Sequence, residues 1–334
     1  MTTPGRILQR NSDMVRLVSE LIQSDEPVSG ERLAARFGIS RAALQKKVDK
    51  LRAAGFVVEA QSGVGYRLET VPDRLDGLTV LPRLDTQWMG WALSALEECG
   101  STNDEAKSLA QRGEPAGLVV TTERQTAGRG RRGRTWHSPA GRNIAMSILL
   151  RPDLAPQDAG LLTLMTAVAA AEAVSAVTGL RPTLKWPNDI LLHGKKLCGI
   201  LTEMAADPER IDWVVVGIGC NVNTESFPED IAETATSLQM VLGRAMDRAA
   251  LAAALLTSME TWHDRLVAQG APSILNAWKR SPNILGRTVT VHPPPPAGPV
   301  TGVAEDLAAD GSLLLRLPDG GERIVLAGDL VVEN

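Results

Sequence analysis

The chain is poor in cysteine and in aromatic residues: among its 334 residues there are three cysteines, and aromatic residues make up 3%. Three cysteines exclude a disulfide framework, and their positions lack the paired spacing of a metal site. No apolar run approaches the ~18 residues of a membrane span. Charged residues lie throughout the first twenty positions, where a signal peptide needs an apolar stretch. We therefore expect a cytoplasmic protein without a membrane partner, long enough for two or three domains.

The net charge of −4 argues against a general nucleic-acid coat, but the charge is unevenly distributed. Residues 1–68 contain eleven basic and seven acidic residues, a net charge of +4, which leaves −8 for the rest of the chain. A basic N-terminal segment on an acidic body favours a DNA-contacting module joined to a domain with another task. Chance is the alternative explanation for so small an excess of positive charge. The sequence pattern of the segment has to decide between chance and a DNA-binding module.

The first 69 residues have the pattern of a winged helix-turn-helix domain. Apolar residues recur at helical spacing, and two stretches of alternating polarity surround Gly63-Val64-Gly65. The predicted elements are helices at 14–22, 30–37 and 41–54, followed by hairpin strands at 56–60 and 66–69. Two short helices joined through a glycine turn are typical of the helix-turn-helix motif, and a following hairpin is typical of a wing.

The third helix is the candidate recognition helix. Its apolar side holds Leu44, Val48 and Leu51, which leaves the polar and basic residues of its first turns on the outside. The N-terminal end of a recognition helix contacts base edges in the major groove. The candidate DNA-binding residues, including the two serines predicted to cap the second and third helices, are Ser29, Ser40, Arg41, Ala42, Gln45 and Lys46. The alternative is an ordinary solvated helix face.

The chain beyond the wing predicts a linker and an α+β domain. Residues 70–90 contain prolines and glycines and are expected to form a linker with little structure. Residues 91–281 mix strand and helix patterns without the regular alternation of a doubly wound fold, which favours a mixed sheet. The predicted strands are at 92–96, 118–122, 144–150, 184–186, 190–192, 197–203 and 213–221, and the predicted helices at 102–111, 158–178 and 248–269. Thr102 and Glu105 have capping-box spacing at the start of the first of these helices.

The C-terminal segment, residues 282–334, has the pattern of five short strands with tight turns between them. This pattern predicts a small β-barrel. The four prolines of Pro293–Pro296 are compatible with a polyproline ligand, but an extended hairpin loop is the favoured interpretation.

The strongest local motif is Gly128–Trp136, with the sequence GRGRRGRTW. Its glycines match the dinucleotide-binding fingerprint, but that fingerprint requires a helix, and here the chain continues through Pro139 and Gly141 into a strand. Arginine forks bind phosphate and carboxylate oxygens through paired hydrogen bonds, and glycines let the backbone approach a ligand closely. The motif favours a loop that wraps an anionic ligand; a basic surface patch and an RNA-binding loop are the alternatives.

Two further clusters add positive charge. The first, Lys185–Asp189 (KWPND), ends one predicted strand, and the second, Lys196–Leu201 (KLCGIL), opens a later one. Each contributes a lysine, and Asp189 contributes a carboxylate of the kind that binds a metal ion. Taken alone, a lysine such as Lys196 is more often a surface residue than a ligand contact, and an aspartate such as Asp189 is more often a turn residue than a metal ligand. Together with the arginine motif they predict a nucleotide site that has no P-loop.

These three motifs occur in the order found in biotin–protein ligases, which the chain resembles over residues 12–332. Ser101–Asn103, Gln125 and Gly217–Asn223 (GIGCNVN) also match the family pattern. The winged helix makes the chain similar to the bifunctional members, which are biotin–[acetyl-CoA-carboxylase] ligases and biotin operon repressors. The resemblance implies a central domain similar to class II synthetases over 91–281 and a small SH3-like β-barrel after it.

The resemblance also implies substrates and partners. In the family, biotin and ATP with Mg²⁺ give biotinyl-5′-AMP and pyrophosphate. Biotin is then transferred to one lysine of the biotin carboxyl carrier protein of acetyl-CoA carboxylase. In the bifunctional members, biotinyl-5′-AMP promotes a homodimer that binds operator DNA and represses the biotin-synthesis genes.

The motif positions carry these roles over to particular residues. Lys196 and Arg131 are the implied catalytic residues, and Asp189 is a candidate Mg²⁺ contact. The implied biotin- and adenylate-binding residues are Ser101, Thr102, Asn103, Gln125, Gly128, Arg129, Gly130, Arg131, Trp136, Lys185, Asn188, Lys196, Gly199 and Asn221. Some members have a tryptophan after the loop that follows Asn221, where it stacks on adenine. Residues 222–238 of this chain contain no tryptophan.

Two other functions are compatible with parts of the pattern. A lipoate–protein ligase uses the same adenylate chemistry on a related fold, but the arginine motif and the winged helix favour a biotin ligase. A pure transcription factor would use the body of the chain only to sense a ligand. Retention of Lys196 and of the complete arginine motif favours catalysis over sensing.

Overall fold

The computed structural model describes residues 7–61 and 63–333 and has the α+β architecture that the sequence predicts. It combines an N-terminal helix-turn-helix and its hairpin, a mixed central sheet with helices, and an antiparallel C-terminal sheet. Residues 1–6, Ser62 and Asn334, which fall within the predicted domain bounds, lie outside the described residues.

The N-terminal helices pack around a core of their own, which includes Leu17, Leu33 and Leu44. Gly38, between the second and third helices, has a left-handed φ of 62° that favours glycine. The elements are β1 (Ile7–Gln9), α1 (Asp13–Ile22), α2 (Gly30–Phe37), α3 (Arg41–Ala53), β2 (Val57–Gln61) and β3 (Gly65–Thr70). The predicted helices and hairpin are confirmed, whereas the sequence pattern did not reveal β1.

Residues 71–90 connect the wing to the central domain and are packed against it. Their regular structure is limited to a 3₁₀ turn at Leu81–Arg83. The carboxylate of Glu260, on a long helix of the central domain, accepts hydrogen bonds from three successive backbone N–H groups at residues 87–89. The segment expected to be a linker is therefore fixed along the central domain.

The central domain is built on an eight-stranded mixed sheet that has β1 at one edge. Its elements are β4 (Ala92–Cys99), α4 (Thr102–Gln111), β5 (Val119–Gln125), β6 (Ile144–Leu150), α5 (Gly160–Thr178), β7 (Thr183–Lys185), β8 (Asp189–Leu192), β9 (Lys195–Ala206), β10 (Ile211–Cys220), α6 (Leu238–Leu242), α7 (Arg248–Gln269) and α8 (Ala271–Arg280). The strand order is β1-β4-β5-β6-β10-β9-β8-β7. Strands β4 and β5 are parallel because α4 crosses between them. Helices α6 and α8 were not predicted.

Helix α5 and the turn before it, Pro156–Thr178, are long and apolar enough to cross a membrane, contrary to the expectation from the sequence. In its most apolar stretch, however, 67% of the residues are buried inside the protein. Helices α7 and α8 pack against it on one side and the central sheet on the other. The apolar run is therefore a core helix covered on both sides, as its composition indicates.

The C-terminal sheet is antiparallel and five-stranded, as predicted. Its elements are β11 (Thr288–His292), β12 (Val300–Leu307), β13 (Leu313–Arg316), β14 (Glu322–Val325) and β15 (Asp329–Val332). Pro293–Pro296 lie between β11 and β12, which pair as a hairpin, so the hairpin interpretation is confirmed. The indole of Trp186 donates to the carbonyl of Gly311 at 3.0 Å and fixes this sheet to the central domain.

Candidate active site

A cavity opens where β9 and β10 meet the arginine loop (residues 128–136), the start of α4 and the loop at 224–237. The predicted ligand-contacting residues that line it are Ser101, Thr102, Asn103, Gln125, Arg129, Gly130, Arg131, Trp136, Asn188, Asp189, Lys196, Gly199 and Asn221. Gly128 and Lys185 are not among the lining residues: Gly128 is buried within the arginine loop, and Lys185 lies opposite Asp189 in the β7–β8 pair. Motifs that are distant in the sequence thus meet around one space.

One end of the cavity is lined by neutral polar groups, of which Ser101, Thr102 and Asn103 are buried and Gln125 is half-buried. Gln125 Oε1 accepts a hydrogen bond from the Thr102 backbone N–H at 2.9 Å and lies 3.2 Å from Thr102 Oγ1. Asn103 is fixed by Ser147 Oγ, 2.6 Å from its Oδ1, and its Nδ2 donates to Glu203 at 2.7 Å. Ser147 and Glu203 come from other strands, and no motif marked them. This network fixes the orientation of the groups that a ligand would meet.

The capping box predicted at Thr102 and Glu105 is not formed. Ser101 is the N-cap of α4 and makes no side-chain cap, while Thr102 is the first residue of the helix. The hydroxyl of Thr102 lies 2.7 Å from Ser147 Oγ and also contacts Gln125, so it belongs to the cavity wall. The local pattern located the helix, but tertiary contacts determine what the hydroxyl does.

Two glycines of β10 provide space for neighbouring side chains. A Cβ atom on Gly217 would lie 2.2 Å from Asn103 Oδ1, and one on Gly219 would lie 2.5 Å from the Trp136 ring. Any larger residue would therefore displace Asn103 or Trp136 from the cavity. The Trp136 Nε1 group is buried and has no hydrogen-bond partner among the described residues, which leaves a donor for a ligand.

The other end of the cavity is cationic. Lys196 Nζ lies 2.6 Å from Asp189 Oδ1. Arg131 Nη1 donates to Asn188 Oδ1 at 3.2 Å, and burial lowers the pKa of Arg131 from its ordinary value. Burial also lowers the pKa of Lys185, which lies behind this end. An arginine remains charged throughout the neutral range, so Arg131 offers an anion a permanent positive charge beside the ammonium group of Lys196.

The first arginine of the arginine loop is tied to α4. Arg129 donates two hydrogen bonds to the carboxylate of Asp104, at 2.7 and 2.6 Å. The hydrogen bonds from Arg129 are the main cause that lowers the pKa of Asp104 to about 2, and Lys107 adds to the effect. Asp104 therefore stays ionised, and this contact persists, across the whole neutral and mildly acidic range.

The loop at 224–237 contributes residues to the cavity to which the sequence analysis gave no role. Phe227 and Ile231 line the cavity. The ring of Phe227 meets that of His137 edge-on, with 6.4 Å between the centroids. The backbone N–H of Lys196 donates to the carbonyl of Thr234 at 2.7 Å, which holds the loop at the start of β9. An isolated aromatic residue in a polar loop was the available signal for Phe227.

Asp189 fits a Mg²⁺ contact. Its Oδ1 atom is buried, lies in charge contact with Lys196 and makes no hydrogen bond to any described residue. Mg²⁺ is commonly held by one or two carboxylates together with substrate phosphates. Within residues 7–61 and 63–333, no group of three or more His, Cys, Asp or Glu residues could hold a metal ion. An ion at Asp189 would therefore bind together with a phosphate ligand.

The candidate DNA-binding residues lie at the start of α3 and just before α2. Arg41, Ala42 and Lys46 are exposed on α3. Ser40 caps α3, since its hydroxyl accepts a hydrogen bond from the backbone N–H of Ala43 at 3.2 Å. Ser29 precedes α2 but makes no side-chain cap, contrary to the prediction.

The side-chain amide of Gln45 is held by two neighbours. Tyr66, on the wing strand β3, donates its hydroxyl to Gln45 Oε1 at 2.8 Å. Gln45 Nε2 donates to Asp49 one helical turn further on, also at 2.8 Å. The hairpin strand thus fixes a side chain of α3, the candidate recognition helix, and no sequence motif marked Tyr66 for that role.

Comparisons with known families agree with this architecture in all three parts of the chain. The model of the biotin/lipoate A/B protein ligase family matches residues 97–223. A helix-turn-helix domain model matches residues 14–67, and the model of the biotin protein ligase C-terminal domain matches residues 284–332.

Individual relatives cover most of the chain. The bifunctional ligase/repressor BirA of Bacillus spizizenii is 37% identical over 322 residues, which are 94% of this chain and 96% of that protein. The biotin–[acetyl-CoA-carboxylase] ligase of Mycobacterium tuberculosis is 34% identical over 266 residues, which cover 77% of this chain and 95% of that protein. A biotin protein ligase from Aquifex aeolicus, solved with biotin and ATP, matches with a TM-score of 0.62 at 28% identity and covers 72% of this chain and 98% of its own.

Fold, cavity and comparisons together define a ligase that carries a DNA-binding domain. The chain belongs to the biotin–protein ligase family. Within that family it groups with the bifunctional ligase/repressors, since a relative of that description matches nearly the whole chain and the helix-turn-helix domain is present.

Proposed function

We propose that this cavity joins biotin to ATP, giving biotinyl-5′-AMP and pyrophosphate. Biotin is then transferred to a lysine of the biotin carboxyl carrier protein of acetyl-CoA carboxylase. The observation that carries the proposal is the division of one cavity into a neutral polar end and a cationic end. Biotin has the same division, with an uncharged ring system at one end and a carboxylate at the other. The names of the relatives and the biotin and ATP in the Aquifex aeolicus complex support this assignment.

The neutral end suits the ring system of biotin. Thr102, Asn103 and Gln125 offer hydrogen-bonding groups that their neighbours hold in fixed orientations. Preorganised partners of this kind bind a polar ligand without a further ordering cost. Trp136 covers the space beside Gly219 and gives the ring system an apolar wall.

The cationic end brings two anions together. A carboxylate oxygen of biotin attacks the α-phosphorus of ATP, and pyrophosphate leaves. Lys196 and Arg131 supply positive charge where negative charge develops on the phosphate oxygens. Mg²⁺ held by Asp189 and the phosphates would supply further positive charge there. In the second step the amine of the acceptor lysine replaces AMP on the biotin carbonyl carbon.

Incubation with the purified carrier domain tests this function. We expect the carrier domain to gain one biotin, detected by mass spectrometry, only when biotin and ATP are both present. A thermal-shift comparison of biotin with lipoate tests the ligand class. Stabilisation by lipoate and not by biotin would instead favour a lipoate–protein ligase.

We expect Phe227→Ala to weaken ATP binding. Phe227 is the aromatic residue of a loop that contains no tryptophan, and it lines the cavity. Stacking of a base on an aromatic ring contributes about 1–3 kcal/mol, so the KM for ATP should rise about tenfold. The KM for biotin should change little, and Phe227→Trp should restore ATP binding. An unchanged KM for ATP in the alanine variant would remove Phe227 from the adenine site.

We also propose that the chain represses the biotin-synthesis genes as a homodimer on operator DNA, and that both activities take place in the cytoplasm. The basic helix-turn-helix with exposed Arg41 and Lys46 supports DNA binding. One winged helix reads a short site, and two related by a twofold axis read a palindrome of adequate length.

We expect Lys46→Ala to weaken operator binding while ligation stays intact. An exposed lysine on the recognition helix neutralises a phosphate, so its loss should reduce the slope of log affinity against log salt by about one. Lys47→Ala is the matched control, because Lys47 is paired with Asp13 at 3.0 Å within the domain. Gel shifts at several salt concentrations, with DNA from upstream of the biotin-synthesis genes, measure the operator affinity of both variants. Equal losses in the two variants would argue against a recognition role for Lys46.

We expect biotinyl-5′-AMP to promote the dimer. A ligand that binds the dimerisation-competent form more tightly shifts the population towards it. Sedimentation with and without biotin plus ATP, alongside gel shifts, measures this coupling. Unmodified carrier protein should reverse it, because transfer consumes the adenylate. Equal dimerisation and equal DNA binding under both conditions would leave a ligase whose winged helix has no biotin-responsive role.

A further inference from the structure

The arginine loop contacts the C-terminal sheet through one acidic residue. Asp329 is the first residue of β15 and lines the cavity. Its Oδ2 atom accepts hydrogen bonds from Arg132 Nη1 at 3.1 Å and from Arg134 Nη2 at 2.6 Å. The neighbouring carbonyl of Gly328 lies 3.3 Å from Arg131 Nη1. Gly328 and Asp329, at the start of β15, therefore contact three of the four arginines of the loop.

The loop needs such a contact for electrostatic and conformational reasons. Four arginines within residues 129–134 repel one another. Asp104 pairs with the first of them, and Asp329 pairs with both the third and the fourth. Arg132 also has a φ of 56°, a left-handed conformation that a non-glycine residue adopts at a cost. Its ion pair with Asp329 offsets part of that cost.

The arginines of the loop therefore have different tasks. Arg129, Arg132 and Arg134 are engaged by carboxylates of the protein itself. The hydrogen bonds of the Arg131 side chain go to the neutral oxygens of Asn188 and Gly328, and its charge remains available to an anion in the cavity. It lies between the two anchored ends of the loop.

We propose that Asp329 is a positioning residue: by holding Arg132 and Arg134, the C-terminal sheet keeps the arginine loop closed and Arg131 over the bound adenylate. That Asp329 holds the arginine loop is a statement about this chain alone. That it keeps Arg131 over the adenylate rests on the proposed adenylate-forming function. The C-terminal sheet thereby sets how long the activated intermediate is retained before an acceptor lysine arrives.

Limited trypsin digestion of the ligand-free protein tests the anchor. In Asp329→Asn the carboxylate is lost at nearly constant shape, and cleavage within residues 129–134 should accelerate about fivefold. The matched control is Asp319→Asn, since Asp319 is an exposed residue of the β13–β14 turn, and its side chain accepts a hydrogen bond from the backbone N–H of Gly321 at 2.9 Å. Asparagine can accept the same bond, so cleavage should match that of the wild type. Equal cleavage in Asp329→Asn and the wild type would overturn the anchor.

Release of biotinyl-5′-AMP tests retention. The preformed complex is chased with unlabelled biotin and ATP, and release from Asp329→Asn should be about fivefold to tenfold faster than from the wild type. Asparagine keeps one oxygen acceptor but lacks the negative charge, so both arginines lose their ion pair; the loss at Arg134 contributes less because that side chain is mostly exposed. The single-turnover rate of adenylate formation should change much less. Adding Asp329→Asn to the double variant Arg132→Ala/Arg134→Ala should not accelerate adenylate release further, because Asp329 acts through these two arginines.

The outcomes separate the two hypotheses. Faster cleavage together with faster release supports both halves of the inference. Faster cleavage with unchanged release overturns the retention role and leaves a purely structural contact. If Asp329→Asn is cleaved faster than the wild type but the wild type makes no adenylate, the proposed function and the retention role are both wrong. The contact of Asp329 with the arginine loop would still be supported.

Discussion

Lys196→Ala should lower the rate of adenylate formation by roughly 10²–10³, the effect of removing one preorganised group that stabilises transition-state charge. The biotin carboxylate and the α-phosphate repel each other, and a cation between them reduces that repulsion throughout the approach. Lys196 is placed for this role, since it lines the cavity and its ammonium group lies 2.6 Å from Asp189 Oδ1. The fold should be unaffected, because the side chain is only half-buried and alanine fits on a strand.

Single-turnover formation of labelled biotinyl-5′-AMP measures this effect, with thermal unfolding as a check on the fold. Lys195→Ala is the matched control: Lys195 is the preceding residue of β9, is exposed, and is not a lining residue of the cavity. We expect it to behave as the wild type. A near-normal rate in Lys196→Ala would contradict the role assigned to this lysine.

Arg131→Gly should retain adenylate formation in part but release the intermediate about tenfold to hundredfold faster. Loss of a hydrogen bond to a charged group costs about 1.5–3 kcal/mol, which corresponds to that range. Arg131 is the arginine of the loop whose charge remains available to the cavity. A released acyl phosphate reacts with amines in solution, so the variant should attach biotin to lysines of unrelated proteins.

Blotting for biotin on an unrelated protein, mixed with the variant, biotin and ATP, measures this release. Arg210→Gly is the control, since Arg210 is exposed in the β9–β10 turn and is not a lining residue of the cavity. It should label the unrelated protein no more than the wild type does. The absence of excess labelling by Arg131→Gly would contradict the retention role.

Local sequence patterns predicted the elements whose structure depends on interactions between residues close in the sequence. The three N-terminal helices, the hairpin and the extent of α7 follow from the spacing of apolar residues, because each element buries a face against its nearest neighbours. The arginine loop is visible for the same reason, since its glycines and arginines are contiguous. Strand β1 escaped notice because three residues carry too little pattern and its pairing partner, β4, is some eighty residues away.

The rest of the site depends on contacts between distant residues. Glu260 fixes the segment before β4 from more than 170 positions away, so composition alone could indicate a linker but not its attachment. Asp329 and Arg132 are 197 positions apart, and nothing near either residue indicates their contact. Thr102 shows the converse: its local pattern indicated a cap, but Gln125 and Ser147 compete for the hydroxyl and define the cavity wall.

Biotin-dependent exchange of label between pyrophosphate and ATP is the most direct test of the central claim, that this cavity joins a carboxylate to the α-phosphate of ATP. The exchange reports adenylate formation and its reversal and needs no acceptor protein. We predict incorporation of labelled pyrophosphate into ATP when biotin is added, none without it, and none when lipoate replaces biotin. Absence of exchange with biotin, or equal exchange without any carboxylate, would contradict the account.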